Sequence, residues 1–194
     1  MNQHTYPVKK VAIAIAAFAM SGLAIASANM LQNAGFETES TLGANAAQNW
    51  KMNDPDEHGD VWGNATRENW RAHEGEYEAT IRGTWANEGD FGGLWQEAAA
   101  TAGTMYRVSA QFWADVNWTA TTQELKIEFW NADRSQMLGA NTNAIVGVGE
   151  SWTEVSVDGT APEGAAWVRA VINVAGAGEA GALQVDDVVL DVAL

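Results

Sequence analysis

The sequence predicts an all-β chain, an antiparallel β-sandwich, and three observations lead there. Beyond the first 28 residues, no stretch repeats its apolar residues at helical spacing. Apolar and polar residues alternate instead over short runs, and Gly, Asn and Asp punctuate those runs. The chain has 194 residues, enough for one domain that buries about 70 % of its unfolded surface in a single core.

The first segment is not part of that fold. Lys9 and Lys10 precede the apolar run Val11 to Ile25, and Ala26-Ser27-Ala28 follows as an A-x-A triplet. This is the pattern of a secretory signal peptide over 1–28, which places the domain 29–194 outside the cytoplasm: secreted, periplasmic or on the cell surface. The stretch Thr38 to Arg71 reads as irregular. "EYEATIR" (Glu76 to Arg82) alternates as a strand with Tyr77, Ala79 and Ile81 inward, and Gly83 to Gly93 reads as a loop. "GLWQEA" is the next strand. "MYRVSAQFWAD" (Met105 to Asp115) follows, with Tyr106, Val108, Ala110 and Phe112 toward the core. "ELKIEFW" turns Leu125, Ile127 and Phe129 inward, and "TEVSVDG" contributes Val155 and Val157. "AAWVRAVINVAG" turns Val168, Ala170, Ile172 and Val174 inward, and "ALQVDDVVLDV" closes the sheet.

Charge and composition exclude several classes. The net charge is −15, and losing Lys9 and Lys10 makes the exported chain more acidic still. Nucleic acids and anionic membranes need a positive surface and are excluded as partners. Cysteine is absent, so there is no disulfide framework and no thiolate nucleophile or ligand. "NDPDEHGD" (Asn53 to Asp60) opens like a calcium-binding EF-hand, with Asp54, Asp56 and Gly59 in place. Its closing position is Ala65 rather than Glu, so it reads as a polar surface loop. His58 and His73 lack the spacing of a zinc site and read as surface residues.

Parity singles out the tryptophans, of which there are 10. On "MYRVSAQFWAD", Trp113 shares the wet face with Arg107, Ser109, Gln111 and Asp115. On "ELKIEFW", Trp130 stands with Lys126 and Glu128, and on "AAWVRAVIN", Trp167 stands with Arg169 and Asn173. An indole presents a flat apolar face to the C–H side of a pyranose, and its polar neighbours can bond the hydroxyls. Trp113, Trp130 and Trp167 are therefore expected to form one carbohydrate platform. Trp85, Trp95 and Trp118 would rim it, while Trp50 and Trp152 read as core.

The quoted runs also carry a family resemblance. "QNAGFETE" (Gln32 to Glu39), "EGEYEATI", "AGTMYRVSAQFWA", "SWTEVSVDGTAPEGAAWVRAVI" and "VDDVVL" occur in the order seen in carbohydrate-binding modules of the family 4/9/22 type. The strand "LKIEFWNAD" followed by "LG" resembles one group of them most closely, and the resemblance spans Leu31 to Leu190. It implies a galactose-binding-like jelly roll that binds polysaccharide or oligosaccharide. It also implies a structural calcium near Glu37, Asp186 and Asp187. Hard oxygen ligands joining the first loop to the last strand suit that ion.

Two other uses of the same fold stand beside glycan binding. One is assembly with further copies of the chain through exposed tryptophans. The other is a small glycan hydrolase or lyase, in which Glu128 beside Trp130 would be the first carboxylate to test.

Overall fold

In the computed structural model, residues 28–41, 45–52, 65–86 and 91–193 are described. The leader up to Ser27, the acidic run Asn53 to Asp60 and His58 lie outside them. Nine strands form two antiparallel sheets: β1 (Ala65–Glu68), β2 (Glu78–Arg82), β3 (Phe91–Ala99), β4 (Met105–Ala114), β5 (Ala120–Trp130), β6 (Met137–Ala144), β7 (Thr153–Thr160), β8 (Trp167–Ala177) and β9 (Ala182–Val192). One sheet has the order β1-β2-β9-β4-β7 and the other the order β3-β8-β5-β6.

The sheets pack face to face, and alternation decides what lies between them. Ile81, Val108, Phe112, Leu125, Ile127, Val168 and Ile172 are fully buried, as the inward parity of each run requires. The close of the chain departs from simple alternation. Leu183 and Val185 face the core, and so do Val188 and Leu190, so one residue too many lies between the pairs. The register against β4 shifts between Ser109 and Gln111, and Asp187 takes a φ of 46°. This is a β-bulge, and it places Asp186 and Asp187 side by side at a bend in the last strand.

Two strands, β1 and β6, fall where alternation gave no signal. β1 lies inside the stretch expected to be irregular, while β3, expected from "GLWQEA", begins earlier, at Phe91, within the expected loop Gly83 to Gly93. β6 ("MLGANTNA") has no buried residue because it is an edge. Its Asn141 and Asn143 amides donate to the Asp158 and Ser156 carbonyls of β7, at 2.7 and 2.9 Å. Those bonds tie the free edges of the two sheets together and satisfy edge carbonyls that would otherwise stay open.

Candidate functional site

The structure does not bring Trp113, Trp130 and Trp167 together. All three look away from the core, as parity demands, but β4 belongs to one sheet and β5 and β8 to the other. Trp113, with Arg107 and Gln111, therefore stands on the outside of the five-stranded sheet. Trp130, Trp167, Lys126, Glu128, Arg169 and Asn173 stand on the outside of the four-stranded sheet, on the opposite side of the sandwich. The single platform is corrected to two faces, because alternation assigns a side of a strand's own sheet and says nothing about which sheet that is.

Trp113 is covered. The segment leading into β2 lies across it, with the Arg71 guanidinium 4.6 Å from the ring centroid and Trp152 edge-on at 6.1 Å. Trp152 is thus an outer-face ring, not the core residue expected, and His73 packs against its other side at 5.4 Å. Beneath the segment Thr66, Glu78, Thr80, Gln184 and Asp186 are buried polar residues. Glu78 accepts the Trp70 and Arg71 amides at 3.1 and 3.2 Å. Burial pushes its carboxyl above the usual range, against the pull of those two amides. Further out, Arg107 forms a two-pronged pair with Asp158 at 2.6 and 2.8 Å.

The tryptophans of the four-stranded face are occupied by arginines. Arg169 on β8 lies between Trp95 and Trp130, 4.2 and 4.3 Å from their centroids. Arg134 lies 3.6 Å over Trp167. Glu97 holds both guanidinium groups, at 2.5 Å for Arg134 and 2.9 Å for Arg169. Trp130 Nε1 donates to Glu128, and Trp167 Nε1 donates to the Ala132 carbonyl. These rings form an internally satisfied cation–π ladder, in which arginine takes a surface of each ring that a sugar could otherwise stack on, while Trp95 also lines a pocket at the edge of β3. Trp118, expected at the rim, is buried and donates to Gln123 at 2.9 Å.

The open indoles are elsewhere. Trp70 and Trp85 are 52% and 49% exposed, and both line a pocket of about 320 Å³ together with Asp115, Asn117 and the turn Glu179 to Ala182. The pocket sits at one end of the sandwich, where β2, β4 and β8 finish and β9 begins. Its floor is rigid. Gly83 N donates to the Gly181 carbonyl, Thr84 N to that of Gly178, and Trp85 Nε1 to Gly181 at 2.8 Å. Gly181 has a φ of 76°, and a Cβ there would meet Asn117 Oδ1 and Trp118 N at 2.8 Å, so the close approach of these turns requires glycine. Asp115 is fixed by Arg71 at 3.0 Å and by the Ala182 amide at 3.0 Å. Arg82 lies under Trp70 at 5.0 Å and is paired with Glu68. Of the site residues expected from sequence, Trp85 is the one found here. Trp70 was missed because it sits in a stretch without periodicity; an indole among Glu68, Asn69 and Arg71 was the available cue.

The expected calcium residues lie around one loop, His73 to Tyr77, although of the three only Asp187 belongs to a converging group of ligand atoms there. Asp186 is fully buried and accepts the amides of Asp187, His73 and Glu74 at 2.7, 2.7 and 3.2 Å. Burial first, then the charge of Asp187, pushes its carboxyl up to about 7 despite those bonds. No basic side chain among the described residues neutralises it. Ligand atoms of His73, Glu74 and Asp187 lie within 4.8 Å of one another, and His73 Nδ1 is 2.6 Å from Asp187. Glu37 lies against the same loop, accepting the Glu76 and Tyr77 amides at 3.0 and 3.2 Å. In charge and in oxygen content these groups fit a hard divalent cation.

No protein-family model matches the sequence, and no curated protein does at a significant level. Solved structures do match. TmCBM61 in complex with β-1,4-galactotriose aligns at a TM-score of 0.52 and 17% identity, covering 86% of this chain and 100% of that one. The CBM22-1 xylan-binding domain of Paenibacillus barcinonensis Xyn10C aligns at 0.52 and 11%, covering 86% and 95%. The enzymatically active domain of tailspike protein 4 from Bacteriophage CBA120 aligns at 0.61 and 15%, covering 85% of this chain but only 21% of its own. A family 4 carbohydrate-binding module aligns at 0.52 and 19%. At these identities the likeness is one of fold: the chain is folded as the jelly-roll β-sandwich that carbohydrate-binding modules of families 4, 22 and 61 share.

Proposed function

We propose that this protein binds a polysaccharide or oligosaccharide without transforming it, in the end pocket between Trp70 and Trp85. The observation that carries this reading is the pairing of two half-exposed indoles with amide and carboxylate groups on a rigid floor. Large apolar rings left open to water beside convergent polar groups are what a sugar site needs. Asp115 serves as a fixed acceptor there, tied to Arg71 and a backbone amide. The fold supports the same reading, since the solved domains it resembles include one bound to galactotriose and one named for xylan.

Calcium belongs to the proposal as a structural ion. Asp186, Asp187 and Glu37 would hold it, with Glu74 and His73 beside them, and it would supply the positive charge that the buried carboxylate lacks. It would stiffen the segment that carries Trp70 and Arg71, and so act on the pocket without touching the ligand.

Affinity electrophoresis against soluble glucans, xylans and galactans tests the function. Retardation by at least one glycan is expected, and Trp85→Ala is expected to weaken it about tenfold or more with the melting temperature unchanged. A panel in which nothing retards the protein, or in which Trp85→Ala binds as well as the native chain, removes the end pocket as the site.

A further inference from the structure

We propose that the pocket at the free edge of β3 is a second binding site and takes a carboxylate-bearing pyranose, a uronic acid unit. The pocket measures about 280 Å³ and is lined by Gln32, Asn49, Lys51, Trp95, Gln96 and Glu97. That volume lies just below the usual range of ligand pockets and suits a single ring.

The backbone brings a cation and an indole to one surface. Lys51 and Trp95 exchange both of their N–H···O bonds at 3.0 Å. Residues paired in this way present their side chains on the same face. Trp95 offers the pocket what Arg169 leaves uncovered. Gln32 and Asn49 bring exposed side-chain amides, while the Gln96 amide is used up on the Gln32 backbone at 2.7 and 2.9 Å and forms the wall.

Charge decides the ligand class. The Lys51 ammonium has no partner among the described residues. Glu97, the one carboxylate in the lining, is held by both Arg134 and Arg169. With Glu97 shared between those two arginines, Lys51 is the cation of the lining left to meet an incoming anion, in a chain whose net charge is −15. An acidic ligand is repelled by most of this surface and attracted here. The end pocket has the opposite character, with Asp115 and Glu179 in its lining. A uronic acid uses every free group of the β3 pocket: its ring stacks on Trp95, its hydroxyls meet the two amides, and its carboxylate meets Lys51.

An NMR titration of the ¹⁵N-labelled protein tests this. The probes are glucuronic and galacturonic acid oligomers, their neutral glucose and galactose counterparts, and acetate. The acids should shift the Trp95 indole N–H and the Gln32 and Asn49 amides. The neutral oligomers and acetate should bind about tenfold more weakly or worse, and raising salt to about 0.5 M should weaken the acids. Lys51→Gln should lose about tenfold in affinity for the acids while melting as the native protein does. The site stands independently of the end pocket, so Trp85→Ala should leave uronate binding intact. Three results each overturn the proposal: no response to any uronate, equal response to the neutral oligomers or acetate, or native affinity in Lys51→Gln. Loss of uronate binding in Trp85→Ala would move the ligand to the other pocket.

Discussion

At position 75 the backbone passes through a φ of 72°, and a Cβ there would run into the Glu37 carboxylate. That carboxylate accepts the Glu76 and Tyr77 amides, so the turn and the first loop hold each other in place. Gly75→Ala combines left-handed strain with displacement of Glu37, and should cost about 1–3 kcal/mol in urea denaturation. Native stability in this variant would mean that Glu37 does not anchor the turn. Single rings show how far local reading reaches. Trp50 is 2% exposed and packs on Phe36 at 5.0 Å, in keeping with its expected place in the core. Trp152 was expected beside it but belongs to the outer face, since it directly precedes β7, where one position of displacement changes the side.

At the scale of strands, the ladder on the four-stranded face shows what outward tryptophans can do other than bind. Arg169 is the middle rung: it touches Trp95 and Trp130 and shares Glu97 with Arg134. Arg169→Ala removes two cation–π contacts and half of the neutralisation of Glu97. It should therefore lower stability by about 1–3 kcal/mol, while leaving glycan affinity at the end pocket unchanged. Full stability, or a loss of glycan binding, would contradict the structural role assigned here. Seven of the nine strands were legible from alternation. The other two were not, for a physical reason: β6 faces Asn141 and Asn143 inward to reach the β7 carbonyls, and β1 is four residues long with Ala65 as its single apolar side chain. Apolar periodicity needs several apolar side chains buried in turn, and neither strand has them.

Across the whole molecule, the surplus of acid converges on one buried group. The Asp186 carboxyl titrates near 7 in the fold and near 3.8 when free. The folded state therefore binds the extra proton between those values. Its contribution to stability is fully present below about 4 and is lost as the pH rises through about 7. In chelator, the melting temperature should carry a falling component over that interval, and Asp186→Asn should remove the part that reaches to about 7, leaving what the raised Glu78 carboxyl contributes. Calcium should reverse the loss near pH 7.5. At a hundred times its dissociation constant, an ion that binds only the folded state adds about 2.7 kcal/mol, roughly 5–10 °C for a chain of this size. A melting curve indifferent to both calcium and chelator would remove the ion.

What alternation determined without help was the kind of fold, the inward side of the strands with an unbroken period and the outward direction of Trp113, Trp130 and Trp167. These follow from a period of two and from the free energy of burying apolar groups, both of which are local. Which sheet each strand joined was decided only in three dimensions, because it depends on pairing between segments far apart in the chain. That pairing separated the three indoles, covered one of them with the residues before β2, and filled the faces of the others with arginine. It also drew Trp70 and Trp85 from two aperiodic stretches to the same end of the sandwich, where turns from four strands meet.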